Sequence, residues 1–193
     1  LVTPAGAAPA VLKLAGMHNL RNALGAAAAT YAAGTTVQQI VQGLASMRPV
    51  SGRLEMKPAL QGAFLIDDSY NANPSSMKAG IDALRGFSGE RWMVLGEMRE
   101  LGVTSDELHA EVGRYARTAG IVRLFGVGAS AKHATDAFGK GAQWFDSVEA
   151  LIAAVRPELK QNVAVLIKGS RSNRLERVAV ALAAASTASR ETH

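Results

Sequence analysis

Hydrophobic and polar positions change their spacing near residue 50 of this chain. After that point, short apolar runs alternate with stretches in which apolar residues recur every three to four positions. Short apolar runs are typical of buried strands and the longer spacing of amphipathic helices, so the alternation predicts an α/β fold with a mostly parallel sheet. The six predicted strands cover residues 54–57, 63–66, 92–95, 122–125, 142–145 and 163–167. The predicted helices cover residues 75–84, 105–119, 129–138, 148–155 and 172–184.

Residues 1–49 follow a different pattern. An alanine-rich helix is predicted from about residue 19 to 33, and a second helix begins after Thr36, which forms a capping box with Gln39. Two helices alone bury too little surface for a core. Residues 1–50 also contain no acidic residue, whereas the rest of the chain is nearly balanced. We therefore place a domain boundary near Pro49, with a helical remnant of a neighbouring domain before it and a complete domain at residues 50–193.

Composition narrows the possible functions. Of the 193 residues 48% are hydrophobic, which suits a buried core, and no apolar stretch approaches the roughly 20 residues that cross a bilayer. The absence of cysteine excludes disulfides and thiolate metal sites and fits the cytoplasm. The net charge is +5, but basic and acidic residues are interspersed. We therefore expect neither a nucleic-acid nor a membrane partner. Since the sequence begins at Leu1 rather than Met, we also expect a piece of a longer protein.

Polar residues collect where ligands bind in open α/β sheets, at the carboxyl ends of the strands. The segment DDSYNANP at residues 67–74 places two acids and Tyr70 in one such loop. A helix cap explains Asn73 and Pro74, but not the acids, which can hold ribose hydroxyls or a metal ion. The segment KGSR at residues 168–171 follows the most hydrophobic strand and offers two cations to an anion.

One competing pattern stays open. Residues 126–131 match the dinucleotide pattern G-x-G-x-x-G/A, and Asp146 stands where a ribose-binding acid would lie, so a non-catalytic Rossmann-like dinucleotide-binding module is an alternative. The four histidines lack the spacing of a zinc site, and His109 is expected on a helix surface. No G-x-x-x-x-G-K-[ST] loop occurs in the sequence, so this chain alone cannot cradle a triphosphate.

Several segments together resemble the Mur ligase family. They are GMHNLRNAL at residues 16–24, GR at 52–53, DDSYNANPSSM at 67–77, LGEMRELG at 95–102 and KGSRS at 168–172. The resemblance extends to about residue 184. It implies that residues 50–193 form the Rossmann-like carboxy-terminal domain of such a ligase. Residues 1–49 would be the end of its central ATP-binding domain.

The resemblance also implies an activity. These ATP-dependent ligases convert a carboxylate into an acyl phosphate, which an amine then attacks. The motifs best match the acid–D-amino-acid ligase that joins D-alanyl-D-alanine to UDP-N-acetylmuramoyl-tripeptide in peptidoglycan biosynthesis. A sister ligase of the Mur or folylpolyglutamate type is the alternative. We expect a cytoplasmic monomer that is inactive without its upstream domains, which would hold the phosphate loop and most of the Mg²⁺ ligands.

The resemblance assigns roles to individual residues. Asn22, together with Asn19, would contact the adenine of ATP. Arg53 would reach the γ-phosphate as the catalytic residue, and Asp68 would hold the ribose. The residues expected to bind D-alanyl-D-alanine are Asn71, Asn73, Lys168, Ser170 and Arg171.

Overall fold

A computed structural model describes residues 1–14, 17–48 and 51–184, apart from the side chain of residue 18. The described residues form two compact units, which lie within Leu1–Val50 and Ser51–His193. No helix in these described ranges is both long and apolar enough to cross a membrane.

The first unit contains two helices and a short hairpin. Strands β1 (Val2–Thr3) and β2 (Gly6–Ala7) pair antiparallel and precede helices α1 (Met17–Ala32) and α2 (Val37–Ser46). The predicted capping box at α2 is confirmed, because the Thr36 hydroxyl accepts from the Gln39 N–H and the Gln39 side chain accepts from the Thr36 N–H at 3.0 Å. The sequence pattern did not predict the hairpin, since strands of two residues show no alternation.

The second unit is built on one six-stranded sheet, and the predicted α/β fold is confirmed. Its strands are β3 (Glu55–Pro58), β4 (Phe64–Asp68), β5 (Glu90–Gly96), β6 (Arg123–Val127), β7 (Ala142–Phe145) and β8 (Val163–Lys168). They lie in the order β3-β4-β8-β5-β6-β7, and only the β3–β4 pair is antiparallel. All six residues of β8 are buried, as an apolar run at the centre of a covered sheet should be.

Helices cover both faces of this sheet. They are α3 (Pro74–Ala83), α4 (Ser105–Thr118), α5 (Ala131–Phe138), α6 (Val148–Glu158) and α7 (Glu176–Leu182). Apolar residues of α3, α4 and α5 share one core cluster, whereas those of α6 and α7 belong to a second cluster. The chain therefore winds along one face from β4 to β7 and returns along the other face to reach β8.

Two differences from the predicted elements affect the polar residues. Strands β4 and β8 extend beyond the predicted ends, so Asp68 and Lys168 lie within strands and pair with each other in register. The last helix is also shorter than predicted. A 3₁₀ turn at Arg171–Asn173 comes first, and Arg174 then adopts a left-handed backbone with φ of 52°, so the α-helix begins only at Glu176.

Candidate functional site

The topology places two crevices beside strand β8. Ligands in such sheets bind where neighbouring strands lead to helices on opposite faces. Strand β8 leads to α7 on one face, whereas its neighbours β4 and β5 lead to α3 and α4 on the other. The loops after β4, β8 and β5 therefore border the expected site.

The crevice between β8 and β5 is closed by hydrogen bonds. The Asn173 amide accepts from the Glu97 N–H at 3.1 Å and donates to the carbonyls of Glu97 at 2.9 Å and Ser170 at 2.8 Å. The Ser170 N–H donates to the Glu97 carbonyl, and the Ser170 hydroxyl accepts from the Arg99 N–H, both at 2.9 Å. Nothing in the sequence pattern singles out Asn173, which joins the loops after two neighbouring strands.

The crevice between β4 and β8 is organised by a buried ion pair. The Lys168 ammonium donates to the Asp68 carboxylate at 2.6 Å and to the Asn71 carbonyl at 2.9 Å, and the lysine side chain is only 3% exposed. The second Asp68 oxygen accepts from the Leu54 N–H at 3.2 Å. The Lys168 ammonium is therefore turned inward and holds the loop after β4, and its predicted role in binding the dipeptide stays a prediction.

Other polar residues of that loop also serve its own structure. Asp67 is buried and accepts from the hydroxyl of Ser69 at 2.6 Å and from Lys57 at 3.1 Å. Asn73 caps α3, with its side-chain oxygen accepting from the Ser76 N–H at 2.8 Å. The exposed Asn71 accepts from the neighbouring Ala72 N–H at 2.8 Å. The amide NH₂ groups of the two asparagines remain as donors for a ligand.

Two arginines meet at the ring of Tyr70. The Arg53 guanidinium carbon lies 4.4 Å from the ring centroid, and that of Arg171 lies 5.3 Å from it. Both distances are within the range of cation–π attraction. Within the described parts of the chain, neither guanidinium pairs with a carboxylate, so both remain available to an anionic ligand.

A cavity of about 300 Å³ opens beside these arginines. It is lined by Ser51, Gly52, Ser69, Tyr70, Arg171 and Glu176. Gly52 lets its own backbone lie close to residues 69 and 70. Its φ is 73°, and a Cβ there would lie 3.1 Å from both the Ser69 hydroxyl and the Tyr70 nitrogen. The cavity lies on the β4 side of β8, opposite the crevice that Asn173 closes.

The glycine-rich turn after β6 holds one of the protein's own carboxylates. Glu97 accepts from the Ser130 N–H at 3.0 Å, and a Cβ at Gly128 would lie 2.6 Å from the Glu97 side chain. A dinucleotide phosphate would need the position that this carboxylate occupies. The geometry therefore disfavours the dinucleotide-binding alternative and explains Gly128 by close packing.

His109 is fully buried, so the expectation that it lies on a helix surface is wrong. Its Nε2 accepts from the Met98 N–H at 2.8 Å, and its Nδ1 is 2.7 Å from the Ser105 carbonyl, to which it donates in the neutral form. Burial lowers the pKa of His109 below its ordinary value. The neutral imidazole thus fixes the loop after β5.

Asn19 and Asn22 belong to α1 in the first unit. Asn19 is half-buried and Asn22 is exposed. Their spacing of three residues places them on neighbouring turns of the same helix face. Their predicted contact with adenine stays a prediction. Among the residues that the structure describes, no group of three or more His, Asp or Glu side chains could hold a metal ion.

Comparison with known proteins gives consistent similarities. Residues 52–171 match the family described as the Mur ligase, glutamate ligase domain. The chain is 40% identical over 184 residues to the UDP-N-acetylmuramoyl-tripeptide–D-alanyl-D-alanine ligase of Escherichia coli (strain K12), covering 94% of this chain and 40% of the relative.

Comparison with solved structures gives the same similarity as comparison of the sequences. A crystal structure of MurF from Acinetobacter baumannii superposes with a TM-score of 0.81 at 32% identity, covering 92% of this chain and 40% of that one. MurF ligase from Thermotoga maritima, crystallised in complex with ADP, gives a TM-score of 0.75 at 28% identity, with coverages of 87% and 38%. The chain thus spans about 40% of the length of these relatives.

Replacing Lys168 should destabilise the second unit. Lys168→Met leaves the Asp68 carboxylate without its cation in a largely buried position, so we expect the free energy of unfolding to fall by about 3 kcal/mol. Lys132→Met is the matched control, because Lys132 pairs with Asp136 on the surface and its loss should cost less than about 1 kcal/mol. Urea denaturation of both variants makes the comparison, and equal losses would contradict the buried role.

His109 should make stability depend on pH. The unfolded chain binds a proton at this residue near pH 6.5, whereas the folded chain keeps the imidazole neutral to lower pH. Its contribution is therefore complete above about pH 6.5 and is lost as the pH falls toward the folded pKa, with a slope of up to about 1.4 kcal/mol per pH unit.

Denaturation of the wild type, His109→Gln and His133→Gln between pH 5 and 8 separates this contribution from others. Glutamine at position 109 should remove part of the slope, whereas the same change at the exposed His133 should keep it. Parallel curves for the wild type and His109→Gln would show that the buried imidazole has no such effect.

Proposed function

The chain belongs to the Mur ligase family, and from this premise we propose that it supplies the carboxy-terminal domain of an ATP-dependent ligase joining D-alanyl-D-alanine to UDP-N-acetylmuramoyl-tripeptide. The observation that carries the proposal is the similarity to ligases of that name along nearly the whole chain. The crevice beside β8 supports it, since two arginines that pair with no carboxylate among the described residues lie beside a small cavity there.

The two units would belong to different domains of that ligase. We propose that the unit within Leu1–Val50 is the end of the central ATP-binding domain, and that the unit from Ser51 onward is the carboxy-terminal domain. Asn19 and Asn22 would then contact adenine from the central domain.

ATP would supply the phosphoryl group that turns the tripeptide carboxylate into an acyl phosphate. Arg53 suits the γ-phosphoryl group, because a guanidinium offers several permanently charged donors. The Arg53 guanidinium lies over the Tyr70 ring. Exchanging a ring contact for phosphate oxygens gains charge-assisted hydrogen bonds.

Asp68 can still serve the ribose. Each of its oxygens accepts one hydrogen bond from the protein, from Leu54 or from Lys168, and a carboxylate oxygen can accept two. Its side chain is 14% exposed, so part of it is open to a ligand. Lys168 would then act indirectly, by fixing the orientation of this carboxylate.

D-alanyl-D-alanine would lie on the other side of Tyr70. Arg171 offers charged donors to its carboxylate, and Asn71 and Asn73 offer amide donors. Ser170 is buried, and its hydroxyl accepts from the Arg99 N–H in the crevice between β8 and β5, so its part in binding the dipeptide stays a prediction.

Mg²⁺ would accompany ATP, as for other phosphoryl transfers. We assign it no ligand among the described residues of this chain. We further propose that the ligase is a monomer that works in the cytoplasm, where ATP is available. The lack of cysteine fits that reducing compartment.

The ligase that carries this chain together with its upstream domains should join D-alanyl-D-alanine to UDP-N-acetylmuramoyl-tripeptide only when ATP is present. In that protein, Arg53→Ala should lower kcat about 100-fold or more, because its charge matters most as the γ-phosphoryl group is transferred. Asp68→Ala should raise KM for ATP more than it lowers kcat, since ribose is held equally before and during the reaction.

Steady-state kinetics of both variants test these roles, with Arg156→Ala on the exposed side of α6 as the control that should keep normal rates. A normal kcat for folded Arg53→Ala would contradict its assignment. Failure of the unaltered ligase to form the amide bond would contradict the proposed function itself.

A further inference from the structure

Three consecutive backbone N–H groups after strand β5 each donate to a side chain from another part of the chain. The acceptors lie on α4 and in the loop after β8. The three bonds are Glu97 N–H to the Asn173 side chain at 3.1 Å, Met98 N–H to His109 Nε2 at 2.8 Å and Arg99 N–H to the Ser170 hydroxyl at 2.9 Å. The loop after β5 is therefore held between a helix and the neighbouring loop.

His109 differs from the other two acceptors because it can gain a proton in mildly acidic solution. Its side chain is fully buried, and its Nδ1 donates to the Ser105 carbonyl at 2.7 Å. The neutral ring therefore has one free lone pair, on Nε2, and the Met98 N–H uses it. A proton on Nε2 would turn this acceptor into a donor that faces another donor, so the Met98 backbone would have to move.

Charged groups surround His109 on several elements. They are Glu97 in the loop after β5, Asp106 on α4, His133 on α5, and the Lys78–Glu111 ion pair between α3 and α4. Burial is the largest influence and lowers the pKa of His109, as His133 also does, whereas the two carboxylates nearest to it, Glu97 and Asp106, raise that pKa. The balance keeps the imidazole neutral at pH 7.

A change at Met98 would reach the loop after β8 by a short route. The next N–H in the chain, that of Arg99, donates to Ser170, and the Ser170 N–H donates to the Glu97 carbonyl at 2.9 Å. Arg171 follows Ser170 directly. A contiguous series of hydrogen bonds thus joins the buried imidazole to the residue that we propose to meet the carboxylate of the amine substrate.

Resting on the proposed function, we propose that His109 is a positioning residue of the ligase. Its neutral imidazole fixes the loop after β5 and, through that loop, the backbone that carries Arg171. Protonation of His109 would loosen both loops and weaken binding of the amine substrate. The residue would thereby make this one step of the reaction sensitive to acid.

Two substitutions separate the hydrogen bond from the charge. In His109→Gln the side-chain amide oxygen can accept from the Met98 N–H but does not titrate, whereas His109→Leu removes the acceptor at every pH. His133→Gln is the matched control, because His133 is an exposed histidine on α5. All are made in the ligase that carries this chain together with its upstream domains.

Steady-state kinetics between about pH 7.5 and about pH 5 give the first readout. Wild type and His109→Gln should have similar KM for D-alanyl-D-alanine at the upper end. Below about pH 6.5 the wild-type KM should rise above that of His109→Gln, toward a limit of about 10-fold, the scale of one lost hydrogen bond. His109→Leu should show the raised KM throughout. Protonation of the substrate amine affects all variants equally and cancels in these ratios.

Hydrogen exchange of the same proteins gives a readout that does not depend on activity. Near pH 5, peptides covering residues 97–104 and 169–174 should lose protection in the wild type and His133→Gln, but keep it in His109→Gln. Strand β6 serves as the internal reference for global unfolding, and its protection should be the same in all of them.

The outcomes distinguish this proposal from the proposed function. A constant KM ratio between wild type and His109→Gln across the pH range would overturn the positioning role and leave the function standing. Loss of protection confined to residues 97–104 would overturn the coupling to the loop after β8. If the unaltered ligase forms no amide bond, the proposed function and the effect on its substrate are refuted, while hydrogen exchange still decides whether His109 controls the two loops.

Discussion

The buried ammonium group of Lys168 constrains the organisation of the site. It lies at the end of the central strand β8 with a side chain 3% exposed, and an unpaired charge in such a place would be very unfavourable. Asp68 and the Asn71 carbonyl satisfy it, so the end of β4 and the start of the following loop are fixed to β8. Tyr70 lies between these two anchored residues. Its ring can therefore hold Arg53 and Arg171 in defined positions.

The same sheet topology gives two crevices beside β8. Hydrogen bonds join the loops at one of them, and a cavity lies at the other. On the β5 side, the Asn173 amide forms hydrogen bonds to the Glu97 backbone and the Ser170 carbonyl, and so joins the loops after β5 and β8. On the β4 side, the buried Lys168–Asp68 ion pair makes the connection, and the cavity beside Tyr70 is lined by other residues. An internal ion pair thus holds two strands together without lining the cavity.

The sequence predicted the fold and the strand ends that border the candidate site. Apolar runs such as Val163–Lys168 identify buried strands because burial on both faces leaves a direct trace in composition. Asp68 and Lys168 are recognisable as strand-end polar residues, but their mutual pairing across 100 positions depends on the strand order, which no local pattern encodes. The expectation that His109 lies on a helix surface is wrong. Its neighbours in the sequence are charged, so the pattern does not show that His109 belongs to the buried face of α4. Asn173 makes its contacts from a 3₁₀ turn at Arg171–Asn173, which the helical pattern of the last segment does not reveal.

A double-mutant cycle between Asp68 and Lys168 measures the central interaction most directly. The free energy of unfolding is determined for the wild type, Asp68→Asn, Lys168→Met and the double variant. If the ion pair fixes the loop after β4, the two changes are strongly non-additive, with a coupling energy of about 2 kcal/mol. A coupling energy below about 0.5 kcal/mol would mean that the two side chains contribute independently, and would contradict this account of the site.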